Sequence, residues 1–168
     1  MSTILLLKLQ TIMLGQKSFK MSLYSNEIYE ILKKDDYSSA VFKDLLPRNH
    51  LPLKLSYPSA YIINNKKDNH EGEHWIAFFF DKNKNCDFFD SFGKGPSAYG
   101  LTKYLCKYSK CLNFNRVAVQ SNYSFYCGYH AIYFILLRSR NIPLDVILNN
   151  FYDKKNLNLN DYRISFIK

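Results

Sequence analysis

Cysteine is scarce, with four residues in a chain of 168, at positions 86, 106, 111 and 127. They form no Cys-x-x-Cys pair, and their spacing fits no zinc ribbon or finger. Four thiols are too few to staple a chain of this length, so they read as reduced, which points to an intracellular protein. Glycine (6) and proline (5) are sparse as well. No Gly-rich loop is available to cradle a nucleotide phosphate, and no His/Cys/Asp cluster suggests a metal. Long apolar runs are missing. Ile4-Leu5-Leu6-Leu7 is broken by Lys8 and Gln10 before Ile12-Met13-Leu14, too short to span a bilayer. The charged n-region and clear cleavage site of a signal peptide are missing too. Met13 and Met21 are alternative starts, so residues 1–20 are expected to be a non-core extension and residues 21–168 a single domain. There is no internal repeat, Gly/Ser linker or low-complexity block.

Apolar residues make up 47% of the chain and charged ones 22%. This excludes a disordered tail, a collagen-like chain and a coiled coil, and the length is enough to bury a core. Tyr (14) and Phe (13) are abundant, and the net charge is +9, from 23 Lys+Arg against 14 Asp+Glu. The charge has two readings. One is an acidic partner such as nucleic acid. The other is base composition, since AT-rich codons encode the abundant Lys, Asn, Tyr, Phe and Ile.

Hydrophobic patterning predicts helices over 25–33 and 38–46, the second stopped by Pro47, then a loop over 47–58 holding three prolines. A strand follows at 60–63. Residues 74–80 are apolar on both faces, as in a buried central strand. After a turn at 81–85, residues 86–92 form a second strand and close a hairpin. Residues 97–110 fit an amphipathic helix, with Leu101, Tyr104, Leu105 and Tyr108 inward and Lys103, Lys107 and Lys110 on another side. A strand is expected at 114–119. Residues 124–138 form a helix apolar enough to sit mid-domain, another helix begins at Asn141-Ile142-Pro143, and 163–167 is a last strand or packed coil. Grouped strands between helices make this α+β.

Chemistry concentrates at four positions. Cys127 opens the most apolar helix, after Asn122, Tyr123 and Ser124, which can cap it. A helix N-terminus favours a thiolate, although most lone cysteines are buried structural thiols. His74 opens the buried strand and reads equally as a polar strand end. In a tight hairpin opposed residues share a constant index sum, here about 164–166, which sets His74 opposite Asp90 or Phe92. Asp90 could then accept the imidazole N–H. Asp87 has the opposite parity, and Asp81 is in the turn. Gln120 could donate to an oxyanion together with the Cys127 N–H, or be a surface loop residue. The four supply a base, an orienter, an oxyanion donor and a nucleophile, the set for acyl transfer. His130 reads as a core or cleft histidine, and His50 and His70 as incidental loop residues.

Glu73-His74-Trp75-Ile76-Ala77-Phe78, Cys86-Asp87-Phe88-Phe89-Asp90-Ser91-Phe92-Gly93, Gln120 and Cys127-Gly128 together resemble the adenovirus maturation protease (adenain) family. The resemblance is closest to the adenain-like proteases of Polinton/Maverick elements and virophages, and it runs from about Pro58 to Arg140. It implies a papain-like α+β fold of the adenain/SUMO-protease type, with a central helix carrying Cys127 on a mixed sheet carrying His74 and Asp90. It implies a thiol endopeptidase in which His74, Asp90, Gln120 and Cys127 are catalytic, with Trp75 and Gly128 at the substrate. The implied substrates are capsid and virion precursor polypeptides, cut by a monomer in the virion and the infected cell's nucleus or virus factory. The chemistry needs no cofactor. Stimulation by DNA or a viral peptide is a family trait, for which Lys103, Lys107 and Lys110 are the weak candidate contacts, although a solvated helix face explains them as easily; Cys106 and Cys111 receive no role. The alternatives are a SUMO or ubiquitin-like isopeptidase with the same triad, whose members usually carry Asp where this chain has Tyr126, and a non-catalytic basic nucleic-acid-binding module.

Overall fold

The computed structural model describes residues 22–66 and 74–167. The expected extension at 1–20, the alternative starts, His70 and most of the polar turn at 66–72 lie outside the described residues. Helix α1, Ser25–Lys34, buries Ile28 and Leu32 one turn apart. The Glu27 carboxylate accepts the Tyr24 N–H at 2.9 Å across its first turn, satisfying a donor the helix leaves free. Asp35 then caps α2, Asp36–Val41, by accepting the Ser38 N–H at 2.8 Å.

The helix expected over 38–46 stops at Val41, and Phe42–Pro47 is strand β1 instead. Its apolar residues suit either state. Pairing decides, because β1 runs parallel to β2, Ser59–Asn64, with Leu45 opposite Ile62. Pro47 is tolerated because β1 is an edge strand. Strands β3, Trp75–Phe80, and β4, Asn85–Phe89, form the expected antiparallel hairpin. The sheet order is β1-β2-β3-β4-β5, and β3 is central, as its two apolar faces required.

Three further expectations are corrected. The helix over 97–110 is broken at Gly100, whose φ of +69° is left-handed, into a 3-10 turn at Pro96–Tyr99 and helix α3, Thr102–Tyr108. The strand at 114–119 lies earlier, as β5, Cys111–Phe114, parallel to β4. It ends where Asn115 turns its amide onto the backbone of residue 90. The tail is neither strand nor coil at 163–164, because helix α6 spans Leu157–Ile164, capped by the Asn156 side chain. The alternation Leu157-Asn158-Leu159-Asn160 has a period of two and masks that helix. Between β5 and α6 lie α4, Cys127–Ser139, and α5, Leu144–Asn150.

Alternation along the strands feeds two cores. Ala60, Ile62, Ala77, Phe79 and Phe89 meet the buried faces of α1, α2, α4, α5 and α6. Tyr61, Ile63, Ile76, Phe78, Phe80 and Phe88 meet Leu101 and Leu105 across the other face. Helix α4 packs directly on β3, which brings its first residue beside the residue preceding that strand. Phe134, fully buried on α4, stacks on Phe89 with ring centroids 4.9 Å apart. Phe134→Ala is expected to cost about 3–5 kcal/mol, read from the denaturant midpoint at unchanged m-value.

Candidate active site

His74 and Asp90 each lie just outside the hairpin's paired stretch. The observed pairs, from Ala77 opposite Phe89 to Phe80 opposite Cys86, hold an index sum of 166. That register extrapolates to Phe92 opposite His74, and the two rings lie 4.7 Å apart. Asp90 reaches across: its Oδ1 is 2.6 Å from His74 Nε2. Both side chains are buried.

Asp90 is held from several directions. Oδ1 also accepts the Phe92 N–H at 3.0 Å, and Oδ2 accepts the Lys94 N–H at 3.0 Å and the Tyr99 hydroxyl at 2.8 Å. Gly93 permits this turn. Its φ is +73°, and a Cβ there would stand 2.5 Å from the Val117 carbonyl carbon. Burial acts to raise the Asp90 pKa, but His74, the Phe92 amide and the Tyr99 hydroxyl overcome it, and the carboxyl is held below its ordinary value. Asp87 behaves in the opposite sense. Burial outweighs its Arg138 ion pair (Nε to Oδ2 2.8 Å) and its Asn113 hydrogen bond, and its pKa is raised.

Burial disfavours the His74 imidazolium, yet Asp90 and the Cys127 sulfur together lift its pKa to about 9. With Nε2 occupied by Asp90, Nδ1 is buried and has no partner in hydrogen-bond geometry among the described residues. It is the nitrogen left for the sulfur. Cys127 itself is half-buried. It is the first residue of α4, and no side chain caps that helix. The helix starts three residues later than expected, and neither Asn122 nor Ser124 caps it, so the N–H groups of its first turn have no side-chain acceptor from the cap. By contrast, burial pushes the Cys86 thiol up, and Cys106 and Cys111 are exposed.

Gln120 is fully buried rather than on the surface, and it lies in the 115–126 loop rather than at a strand end. Its Oε1 takes the Ser91 hydroxyl at 2.6 Å, and its Nε2 donates to the Ser124 carbonyl at 2.9 Å. Trp75 is half-buried beside Gly128, where an added Cβ would stand 3.3 Å from Trp75 Cδ1 and from Ile28 Cδ1. Gly128 therefore lets α1 and β3 close on α4. Lys103, Lys107 and Lys110 are exposed on or just after α3, on the sheet face opposite α4, and are not part of this cluster.

Four supporting residues escaped sequence reading: Ser91, Tyr99, Asn115 and Asp161. His130, three residues after Cys127, is fully buried, with Nε2 2.8 Å from Asp161 Oδ1 and Nδ1 3.3 Å from the Tyr152 hydroxyl. Burial lowers its pKa. Asp161 also accepts the Ser121 N–H at 3.2 Å, and Asn160 donates to the Val119 carbonyl at 2.9 Å. Helix α6 thus ties down the loop that carries Gln120. Only the adjacency of Asp90 and Ser91 was visible as a signal. The others are single polar residues in unrelated segments. Among the described residues, no group of His, Cys, Asp and Glu could hold a metal ion, and no helix is long and apolar enough to cross a membrane.

No protein-family model and no curated protein matches the chain. Among solved structures it is similar to the ASFV pS273R protease, with a TM-score of 0.55 at 16% identity over 89% of this chain and 69% of that one. A second, Se-Met structure of the same protease gives 0.51, 17%, 89% and 70%. The chain has the fold of that protease. The expected α+β architecture, with the helix that carries Cys127 packed on a mixed sheet, is the one observed. The C-terminal protease domain of Ulp1, solved with Smt3, the yeast ortholog of SUMO, aligns at a TM-score of 0.45 and 14% identity over 99% of this chain and 92% of its own.

The two pKa shifts set a window for stability. The depressed Asp90 pKa contributes stability above the ordinary carboxyl value of ~3.9, lost as pH falls through its folded value. The raised His74 pKa contributes fully below ~6.5, and that stability is lost as pH rises toward about 9. Melting temperatures of the unaltered protein and of Asp90→Asn, taken from pH 3 to 10, should differ most between about pH 4 and 6.5 and converge partly toward pH 9. A gap that widens above pH 7 would show the pairing to be misassigned.

Proposed function

We propose that this protein is a cysteine endopeptidase. The observation that carries the reading is the histidine held on one nitrogen by a buried carboxylate and biased at the other by a half-buried cysteine that begins a helix. In this reading His74 takes the Cys127 proton and the thiolate attacks a peptide carbonyl carbon. The oxygen becomes an oxyanion, met by Gln120 Nε2–H and the Cys127 backbone N–H. Collapse of the tetrahedral species breaks the C–N bond, and the His74 imidazolium donates its proton to the departing amine. Water, deprotonated by His74, then hydrolyses the thioester and returns the free thiol. Once His74 has taken that proton its raised pKa, about 9, holds it until the amine departs. Half-buried Trp75 is the proposed wall on the substrate side, while Gly128, expected there too, is buried where α1 and β3 close on α4.

The proposed substrates are polypeptides, namely capsid and virion precursors of a virus or virus-like element of the Polinton/virophage kind, cut by a monomer in the infected cell and virion. The proposal extends to stimulation by DNA or a viral peptide, for which Lys103, Lys107 and Lys110 are only weak candidate phosphate contacts, on the face opposite α4, and the proposed chemistry uses no cofactor. The likeness to a viral protease supports the fold on which this rests.

Cys127→Ala should abolish cleavage of a Gly-containing fluorogenic peptide and labelling by a thiol-reactive peptide warhead, with the melting temperature unchanged. Cleavage surviving in that variant would falsify the assignment. Preference for a SUMO or ubiquitin-like probe over the peptide would favour the isopeptidase reading, and an unlabelled Cys127 would favour a non-catalytic module. Asp90→Asn should lower kcat by about 10²-fold or more, by analogy with loss of a triad acid. Asp87→Asn, away from the cluster, should stay within about threefold.

A further inference from the structure

Gln120 is useful to an oxyanion only if its nitrogen, not its oxygen, faces the reacting carbonyl. The surroundings settle which end is which. One end lies 2.9 Å from the Ser124 carbonyl, which can only accept, so that end is Nε2. The other end, Oε1, lies 2.6 Å from the Ser91 hydroxyl, which must then donate. Nε2 has a second N–H beyond the one given to Ser124. Ser91 is 1% exposed and Gln120 fully buried, so water does not compete for this contact.

Ser91 also grips the same loop through its backbone. Its carbonyl accepts the Val119 N–H at 2.8 Å and the Gln120 N–H at 3.1 Å. Its chain neighbour Asp90 holds His74. Two consecutive residues thus align the two halves of the site. We propose that Ser91 is a positioning residue that fixes which end of the Gln120 amide is nitrogen, leaving the second Nε2–H free of the Ser124 carbonyl as the oxyanion donor. The catalytic part of this inference rests on the endopeptidase reading.

The test compares Ser91→Ala with the unaltered protein. Removing an oxyanion donor outright costs about 10²–10³ in kcat. A donor that is present but free to rotate should cost ~10–100-fold in kcat, with KM within about threefold. Alkylation of Cys127 by iodoacetamide forms no oxyanion, so its rate should stay within about twofold, whereas a merely structural disturbance of Asp90 and His74 would slow it. Combining Ser91→Ala with Gln120→Ala should add little to the loss from Gln120→Ala alone, because both remove one function. Equal kcat in Ser91→Ala, a parallel fall in alkylation, or full additivity of the double variant overturns the proposal.

A second readout needs no turnover. The Gln120 side-chain amide, observed by ¹⁵N NMR, should give one sharp, slowly exchanging pair in the unaltered protein and a shifted, exchange-broadened pair in Ser91→Ala. An amide unmoved by the substitution overturns the lock whether or not the chain proves to be a protease. Absence of peptide cleavage in the unaltered protein, by contrast, defeats the endopeptidase reading while this spectrum still reports on the lock.

Discussion

The site depends on keeping a carboxylate ionised where water is excluded. Asp90 is fully buried, and burial alone would raise its pKa. Two backbone amides, a tyrosine hydroxyl and an imidazole on its two oxygens reverse that tendency. The amides are available because the chain turns sharply at Gly93, a conformation that also lets the 117–118 backbone come close. That approach brings the 119–120 segment within reach of the Ser91 carbonyl. One turn after β4 therefore sets the charge that orients His74 and the distance at which Gln120 stands.

Two His–Asp pairs in the same domain show how environment assigns the work. His74–Asp90 has a sulfur beside it, and its imidazole proton is held strongly. His130–Asp161 is sealed in the core next to Tyr152; burial lowers the histidine's pKa there, and the pair ties α4, α6 and the Gln120 loop together. The carboxylates Asp87 and Asp90 divide in the same way. Asp87 faces a single guanidinium and an amide and has a raised pKa, whereas Asp90 faces the donors of the turn. Residue type is the same within each pair, and only the packing differs.

The scaffold makes this arrangement rigid. The central strand β3 is covered on both faces, and α4 lies against it. His74, just before β3, and the Cys127 sulfur at the start of α4 are therefore carried by two elements packed directly on each other, where large displacements would open cavities. Gly128 permits that close packing, because any side chain there would press on Ile28 and Trp75.

Much of this was legible in the chain itself. The apolar run at 74–80 marked the central strand, and the hairpin index sum set His74 near Asp90 and Phe92, both of which it touches. The strongly apolar stretch ahead of Arg138 marked the helix that opens with Cys127. Such features are local, because periodicity and turn spacing follow from backbone geometry alone. Tertiary contacts decided the rest: that Phe42–Pro47 pairs as a strand, that 157–164 coils as a helix, that Gln120 is buried, and that Ser91, Tyr99, Asn115 and Asp161 support the site. A polar residue takes such a part only through a partner distant in sequence, and neighbouring residues hold no information about which partner folding will bring.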